Sequence, residues 1–307
     1  MISMLKLMRY KNLLMVLLTI VLTQYSIISP IASARSNMQL IVVTIAIICI
    51  TAGGYIINDI FDVTTDIINK PARRIIGVSI SKKKGLFIYF IFTTFGLLFG
   101  TYAAYMKENS AYVLFFVGPI VLLYLYSKFF KRIAIIGNLV VSFLTALPIY
   151  IVYIFTLKTT NASANLVDSF VTLFTSMSAS IAICIYCLLA FFMTFIRELI
   201  KDIEDINGDY SLKMNTLPII IGTTRTKNII WLLSSFIFVS ILALSKEELY
   251  NNMPILFWYT MLCIAAPFAW FLYKLYHSKK SKDFQFLSQL LKYILFSGIL
   301  SMLLLKL

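Results

Sequence analysis

Nine long runs of apolar residues constrain this chain more than any other feature in it. Their cores fall at 12–33, 38–58, 86–106, 111–127, 134–156, 173–196, 229–245, 255–276 and 284–305. A helix needs about 20 apolar residues to cross the hydrocarbon core of a bilayer, and most of these runs are of that length. Inside lipid every backbone N–H and C=O must be satisfied within its own segment, so such runs fold as helices. The expectation is an all-α polytopic membrane protein of about nine transmembrane helices. The first run follows Lys6, Arg9 and Lys11 and is read as the first of these helices, being too long for the apolar part of a cleaved leader.

Composition excludes the other classes. Of 307 residues 60% are hydrophobic and only 13% charged, where a soluble domain carries about a quarter charged. That argues against a soluble enzyme, a secreted disulfide scaffold and a nucleic-acid-binding module, in spite of a net charge of +14. His277 is the one histidine, which leaves almost no material for zinc–histidine sites or Ser–His triads. Cys49, Cys184, Cys187 and Cys263 all fall in apolar stretches without basic neighbours, and read as packing residues.

The positive charge has an orientation instead. With the N-terminus in the cytoplasm and the runs alternating, 22 Lys and Arg fall on the cytoplasmic side and 5 on the other. This is the positive-inside bias of a membrane protein. It explains the basic pI without a nucleic-acid partner, and places the chain in the cell membrane.

The acids are distributed quite differently. Eight of 13 crowd into two windows at the cytoplasmic ends of the second and sixth runs: Asp59, Asp62 and Asp66, then Glu198, Asp202, Glu204, Asp205 and Asp209. Both windows contain the spacing D-x2-D-x3-D, in N58-D-I-F-D-V-T-T-D66 and K201-D-I-E-D-I-N-G-D209. On a continuous helix those steps put three carboxylates within an arc of about 60°. Carboxylates so crowded at a membrane surface repel one another, and a bound cation offsets that cost. Hard oxygen ligands select Mg²⁺ or Ca²⁺, and Mg²⁺ commonly binds through one or two carboxylates plus substrate phosphates. One such stripe alone would read as a solvated helix end. Its repetition four runs later reads as a site, with a diphosphate and two or more Mg²⁺ expected between two pseudo-repeated halves.

Basic residues follow each stripe: Lys70, Arg73 and Arg74 after the first, Lys213 and Arg225 after the second, and Lys128, Lys131 and Arg132 beside Tyr124 and Tyr126. Cations of this kind suit diphosphate oxygens. Arg73, Lys131 and Lys201 lie nearest the stripes or their helix ends.

These residues together resemble the UbiA superfamily of intramembrane prenyltransferases. N58-D-x2-D-x3-D66 with N69-K-P-x-R73 is similar to the first aspartate-rich motif of that family, and R197-E-L-I-K-D-I-E-D-I-N-G-D209 with T216-L-P-x3-G222 to the second. Y126-S-K-F-F-K-R-I-A-I-I-G-N138 resembles the connection of the fourth and fifth helices, and R9-Y-K-N12 the N-terminal signature. Arg74 stands where the family commonly has proline.

The resemblance implies one membrane domain over 1–307, with nine helices around a central cavity open to the cytoplasm. It implies Mg²⁺-dependent transfer of a polyprenyl group from its diphosphate to a lipophilic or phosphorylated acceptor. Asn58, Asp59, Asp62 and Asp66 would serve the first metal–diphosphate cluster, and Asp202, Asp205 and Asp209 the second. Arg9, Arg73, Tyr126, Lys131 and Lys201 would join Asn58 in contacting substrate. The second motif is most similar to the branch that includes geranylgeranylglycerol-phosphate geranylgeranyltransferases. Quinone-forming members, which prenylate aromatic acids, share the core motifs. A cation-coupled transporter is the alternative from another class, but its sites belong near the midplane and not at helix ends.

Overall fold

The computed structural model describes residues 2–28, 36–69, 74–156 and 179–306. Among these residues nine helices are long and apolar enough to cross a membrane. They are α1 (Tyr10–Ile28), α2 (Asn37–Phe61), α3 (Lys82–Met106), α4 (Ser110–Lys128), α5 (Ile136–Thr156), α6 (Ser180–Glu204), α7 (Thr223–Leu249), α8 (Pro254–His277) and α9 (Ser281–Leu305). No strand occurs among the described residues; two isolated bridges, Ile76 with Ile80 and Ile133 with Asn215, are the only extended pairings there.

The apolar runs located the helices and misjudged some ends. α6 continues to Glu204, beyond the expected end at 196, while the expected start at 173–178 lies outside the described residues. The extension is amphipathic: Leu199, Ile200 and Ile203 are buried while Arg197, Lys201 and Asp202 share its turns. An apolar run stops at the first charges, whereas a 3.6-residue period carries the helix on. α7 likewise starts six residues earlier than expected, at Thr223 and not 229.

Contacts divide the chain into two compact units, Met1–Phe130 with Ala146–Cys187, and Lys131–Thr145 with Leu188–Leu307. In the first unit α2 lies along α3 with almost no side chain between them at Gly96. A Cβ there would come 2.6 Å from Ile50 Cγ1, and one at Gly100 would come 2.5 Å from the Phe116 ring. Small residues are how helices approach closely in lipid, where burial of apolar surface supplies little drive. Beyond Gly100 an aromatic knot closes the unit, with Phe155 edge-on to Phe116 at 5.3 Å and to Tyr112 at 5.4 Å.

The second unit is built on Ile196, Leu199 and Ile200 of α6, Ile230 of α7, Phe268 and Phe271 of α8, and Leu291 of α9. α8 contains a π turn over Thr260–Ala265, just before Pro267. Proline lacks an N–H and its ring crowds the carbonyl four residues back, and the wider turn accommodates both. Large side chains left on the outside, such as Phe87, Leu232 and Phe236, are apolar because they face hydrocarbon.

Candidate active site

The first acidic motif sits where α2 ends. Phe61 is the last residue of α2, Asp62 falls out of the helix, and a short helix resumes over Val63–Asn69. The backbone bonding continues through the interruption, from Asp62 N–H to Asn58 O at 2.9 Å and from Asp66 N–H to Asp62 O at 2.8 Å. The expected unbroken stripe is therefore interrupted at its middle carboxylate. Asn58 Nδ2 donates to Asp62 Oδ2 at 2.7 Å, fixing a carboxylate that is only 7% exposed. The other amide atom of this side chain, Asn58 Oδ1, is buried without a hydrogen-bond partner among the described residues.

Asp59 is held from elsewhere in the chain. Arg9 Nη2 donates to Asp59 Oδ1 at 2.8 Å, and its guanidinium lies 5.0 Å from the centre of the Tyr55 ring. Arg9 occupies the joint between the short helix Ile2–Leu7 and α1 in a left-handed conformation, φ 50°, ψ 54°. Burial works against the charge on Arg9, but Asp59, Tyr55 and Asp62 together offset it and raise the pKa above the ordinary arginine value.

The second motif repeats the backbone break. α6 ends at Glu204, Asp205 adopts φ −95°, ψ 7°, and a short helix follows over Ile206–Ser211. Asp205 N–H bonds Lys201 O at 2.8 Å and Asp209 N–H bonds Asp205 O at 3.1 Å. Here the carboxylate is held across helices: Asn138 Nδ2, on α5, donates to Asp202 Oδ2 at 2.7 Å. One turn earlier the buried Glu198 takes Arg197 Nη1 at 3.0 Å and Lys201 Nζ at 2.8 Å. Lys131 acts on the same carboxylate electrostatically. Its turn, Phe130–Arg132, is fastened to the loop after the motif by Asn215 N–H on Arg132 O at 3.0 Å.

Of the expected site residues, the structure joins Asn58 with Asp62 and Arg9 with Asp59, and pairs Lys201 with Glu198. Asp66 and Asp209 lie on the short helices after the two breaks. Tyr126 is half-buried on α4. Arg73 lies outside the described residues. Sequence reasoning placed Glu198 in the second acidic window without its ion pairs, and gave Asn138 no role, although a polar side chain in an apolar run is itself a signal of function.

Three carboxylates are not gathered into a closed metal-binding set among the described residues. Asp59 accepts from Arg9 and Asp62 from Asn58. Mg²⁺ keeps several waters and takes one or two protein carboxylates along with substrate phosphates. An open set of hard oxygens with the buried, unpartnered Asn58 Oδ1 beside Asp62 fits that ion.

The chain is similar to known proteins. Residues 12–296 match the UbiA prenyltransferase family. Digeranylgeranylglyceryl phosphate synthase of Saccharolobus solfataricus is 31% identical over 221 residues, 71% of this chain and 68% of that protein. A solved structure concerning digeranylgeranylglyceryl phosphate synthase in membranes superposes with a TM-score of 0.66 at 21% identity, covering 99% of this chain and 98% of that one. A UbiA homologue from Archaeoglobus fulgidus bound to GPP and Mg²⁺ gives 0.57 at 14% identity, covering 98% and 99%. At such identities the two structures speak to the fold.

Proposed function

Because the chain belongs to the UbiA prenyltransferase family, we propose that it transfers a polyprenyl group from its diphosphate to the hydroxyl of a phosphorylated glycerol lipid, such as geranylgeranylglyceryl phosphate. The observation that carries this reading is the duplicated acidic motif: each copy ends a spanning helix at a backbone break, and each has one carboxylate fastened by an asparagine amide. The acceptor follows from relatives named for digeranylgeranylglyceryl phosphate synthesis. The excess of basic residues in the same loops, 22 of 27, supports a cytoplasmic mouth and N-terminus and a whole chain acting as one domain.

In the reaction the C1–O bond of the donor breaks, diphosphate leaves, and C1 bonds the acceptor oxygen as its proton is lost. Asn58, Asp59, Asp62 and Asp66, with Asp202, Asp205 and Asp209, would hold Mg²⁺. When bound, the ion neutralises the diphosphate and stabilises it as a leaving group. Asn58 and Asn138 keep Asp62 and Asp202 oriented before substrate arrives, so little reorganisation is left for the reaction. Arg9, Arg73, Lys131 and Lys201 supply cations for the diphosphate, Glu198 anchoring Lys201. Tyr126 lies among the substrate contacts, and the apolar walls exclude water from an allylic cation.

The test is transfer by the purified full chain in lipid with Mg²⁺ and labelled prenyl diphosphates. Geranylgeranylglyceryl phosphate and aromatic acids are offered separately, and diphosphate release and product mass are followed. The expected result is Mg²⁺-dependent alkylation of the glycerol lipid. Transfer to an aromatic acid alone would place the chain in the quinone-forming branch, and no release with any acceptor would overturn the proposal.

A further inference from the structure

At the start of α7 a surface cavity of about 140 Å³ is lined by Lys227, Asn228 and Trp231, with Tyr276 of α8 opposite. That is well below the roughly 300 Å³ of sites for drug-sized ligands, and suits a small polar group. Lys227 Nζ donates to Tyr276 O at 2.9 Å and Ser278 O at 3.2 Å. These carbonyls close the C-terminal end of α8, so its negative pole fixes the ammonium at the cavity wall. An ammonium has three N–H donors, which leaves one for an occupant.

The surroundings demand an anion. Arg225, Lys227, Lys274, Lys279, Lys280 and Lys282 outnumber the two acids nearest them, Glu204, whose backbone O accepts from Ser281 Oγ at 3.3 Å, and Asp283. The Asp283 carboxylate Oδ2 is already engaged by the backbone N–H groups of Lys279 at 3.0 Å and Lys280 at 2.9 Å. Away from the cavity the same surface turns apolar. Leu232, Phe236 and Val239, at steps of four and three residues on α7, are 67%, 72% and 63% exposed. Trp231 and Tyr276, both exposed, stand where the two surfaces meet, the level at which aromatic side chains border lipid headgroups. A free phosphate would use only the basic half of this arrangement. A molecule with an anionic head and an apolar tail uses all of it.

We propose that this cavity is a headgroup site for an anionic phospholipid of the surrounding membrane, with its acyl chains along Leu232, Phe236 and Val239. The ligand is a structural lipid and stands apart from donor and acceptor, so the site holds whether or not the proposed reaction does.

Trp231 reports on its own occupancy. The full chain carrying Trp258→Phe and Trp270→Phe keeps one indole, and is placed in phosphatidylcholine bilayers with increasing brominated-chain phosphatidylglycerol. Half-quenching should come at a mole fraction at least about fivefold lower than with brominated phosphatidylcholine. Lys227→Gln with Lys280→Gln should abolish that preference while helical content and prenyl transfer stay intact. If Lys227→Gln does not fold, the triple change Lys279→Gln, Lys280→Gln, Lys282→Gln and a high-salt titration of the parent should each weaken it. Equal quenching by the two lipids in the parent would overturn the proposal. So would loss of the preference to millimolar inorganic phosphate at constant ionic strength, which would make the cavity a free-phosphate site.

Discussion

In the first acidic motif a carboxylate is held by an amide from the last turn of the helix it follows, Asn58 to Asp62, four residues apart; in the second it is held by an amide on a different helix, Asn138 to Asp202, 64 residues apart. The first arrangement forms as soon as α2 forms, because residues at i and i+4 are neighbours on a helix surface. The second exists only after α5 has packed on α6. Their countercharges differ in the same sense. The two cations in contact with Glu198, Arg197 and Lys201, lie on its own helix, whereas Asp59 draws on Arg9 from 50 residues earlier. Each motif thus combines one local and one long-range restraint, with the roles exchanged. A common spacing does not oblige two sites to be supported alike.

The largest effect should be the one that treats the motifs as equals. Asp62→Ala and Asp205→Ala, the carboxylates at the two breaks, should each lower transfer about a thousandfold or more while membrane insertion persists. Chelation of Mg²⁺ should do the same to the parent. Diphosphate release measured on both variants checks this, and a single motif tolerating the change would mean that only the other binds donor.

A smaller effect should tell them apart. Asn58→Ala removes both the donor that fixes Asp62 and the buried Oδ1 suited to a cation. It should raise the Mg²⁺ concentration for half-maximal activity by about 10- to 100-fold, as outer ligands of metals do. Asn138→Ala removes only an orienting bond to Asp202 and should lower kcat by about tenfold, with a lesser change in Mg²⁺ requirement. Magnesium titrations of the two variants side by side make the comparison. Equal shifts would erase the distinction.

The sequence made the nine helices and both motifs legible for plain reasons: apolar length and carboxylate crowding are properties of the chain read in order. It did not make the breaks at Asp62 and Asp205 legible, because no proline stands at either and the glycine near the second, Gly208, lies three residues past it inside the short helix that follows. Nor did it show Asn138 reaching Asp202, since that pairing is decided by how two helices pack. Arg9 stood out only through resemblance; nothing in its local pattern points to Asp59. Glu198 was visible as a member of the second acidic window, but its role as an anchor for Arg197 and Lys201 required side-chain geometry.

The smallest expected effect concerns that long-range restraint of the first motif, and it separates stability from function. Arg9 is left-handed at φ 50°, a conformation that disfavours any side chain by about 1–2 kcal/mol and that glycine adopts freely. Its ion pair with Asp59 is 43% exposed on the arginine side and 16% on the aspartate side, so it contributes about 0.2–1 kcal/mol to stability. Arg9→Gly therefore exchanges two small terms of opposite sign. The apparent melting midpoint in detergent should stay close to that of the parent. Transfer activity should nevertheless fall, with the larger change in KM for the prenyl diphosphate, because Asp59 loses its countercharge and the donor loses a cation. Were the pair present only to hold the N-terminal helix in place, melting would fall and KM would not move. Arg9→Lys closes the argument: it keeps the charge without the planar fork, so partial recovery of KM would assign the role to charge, and none would assign it to the guanidinium geometry.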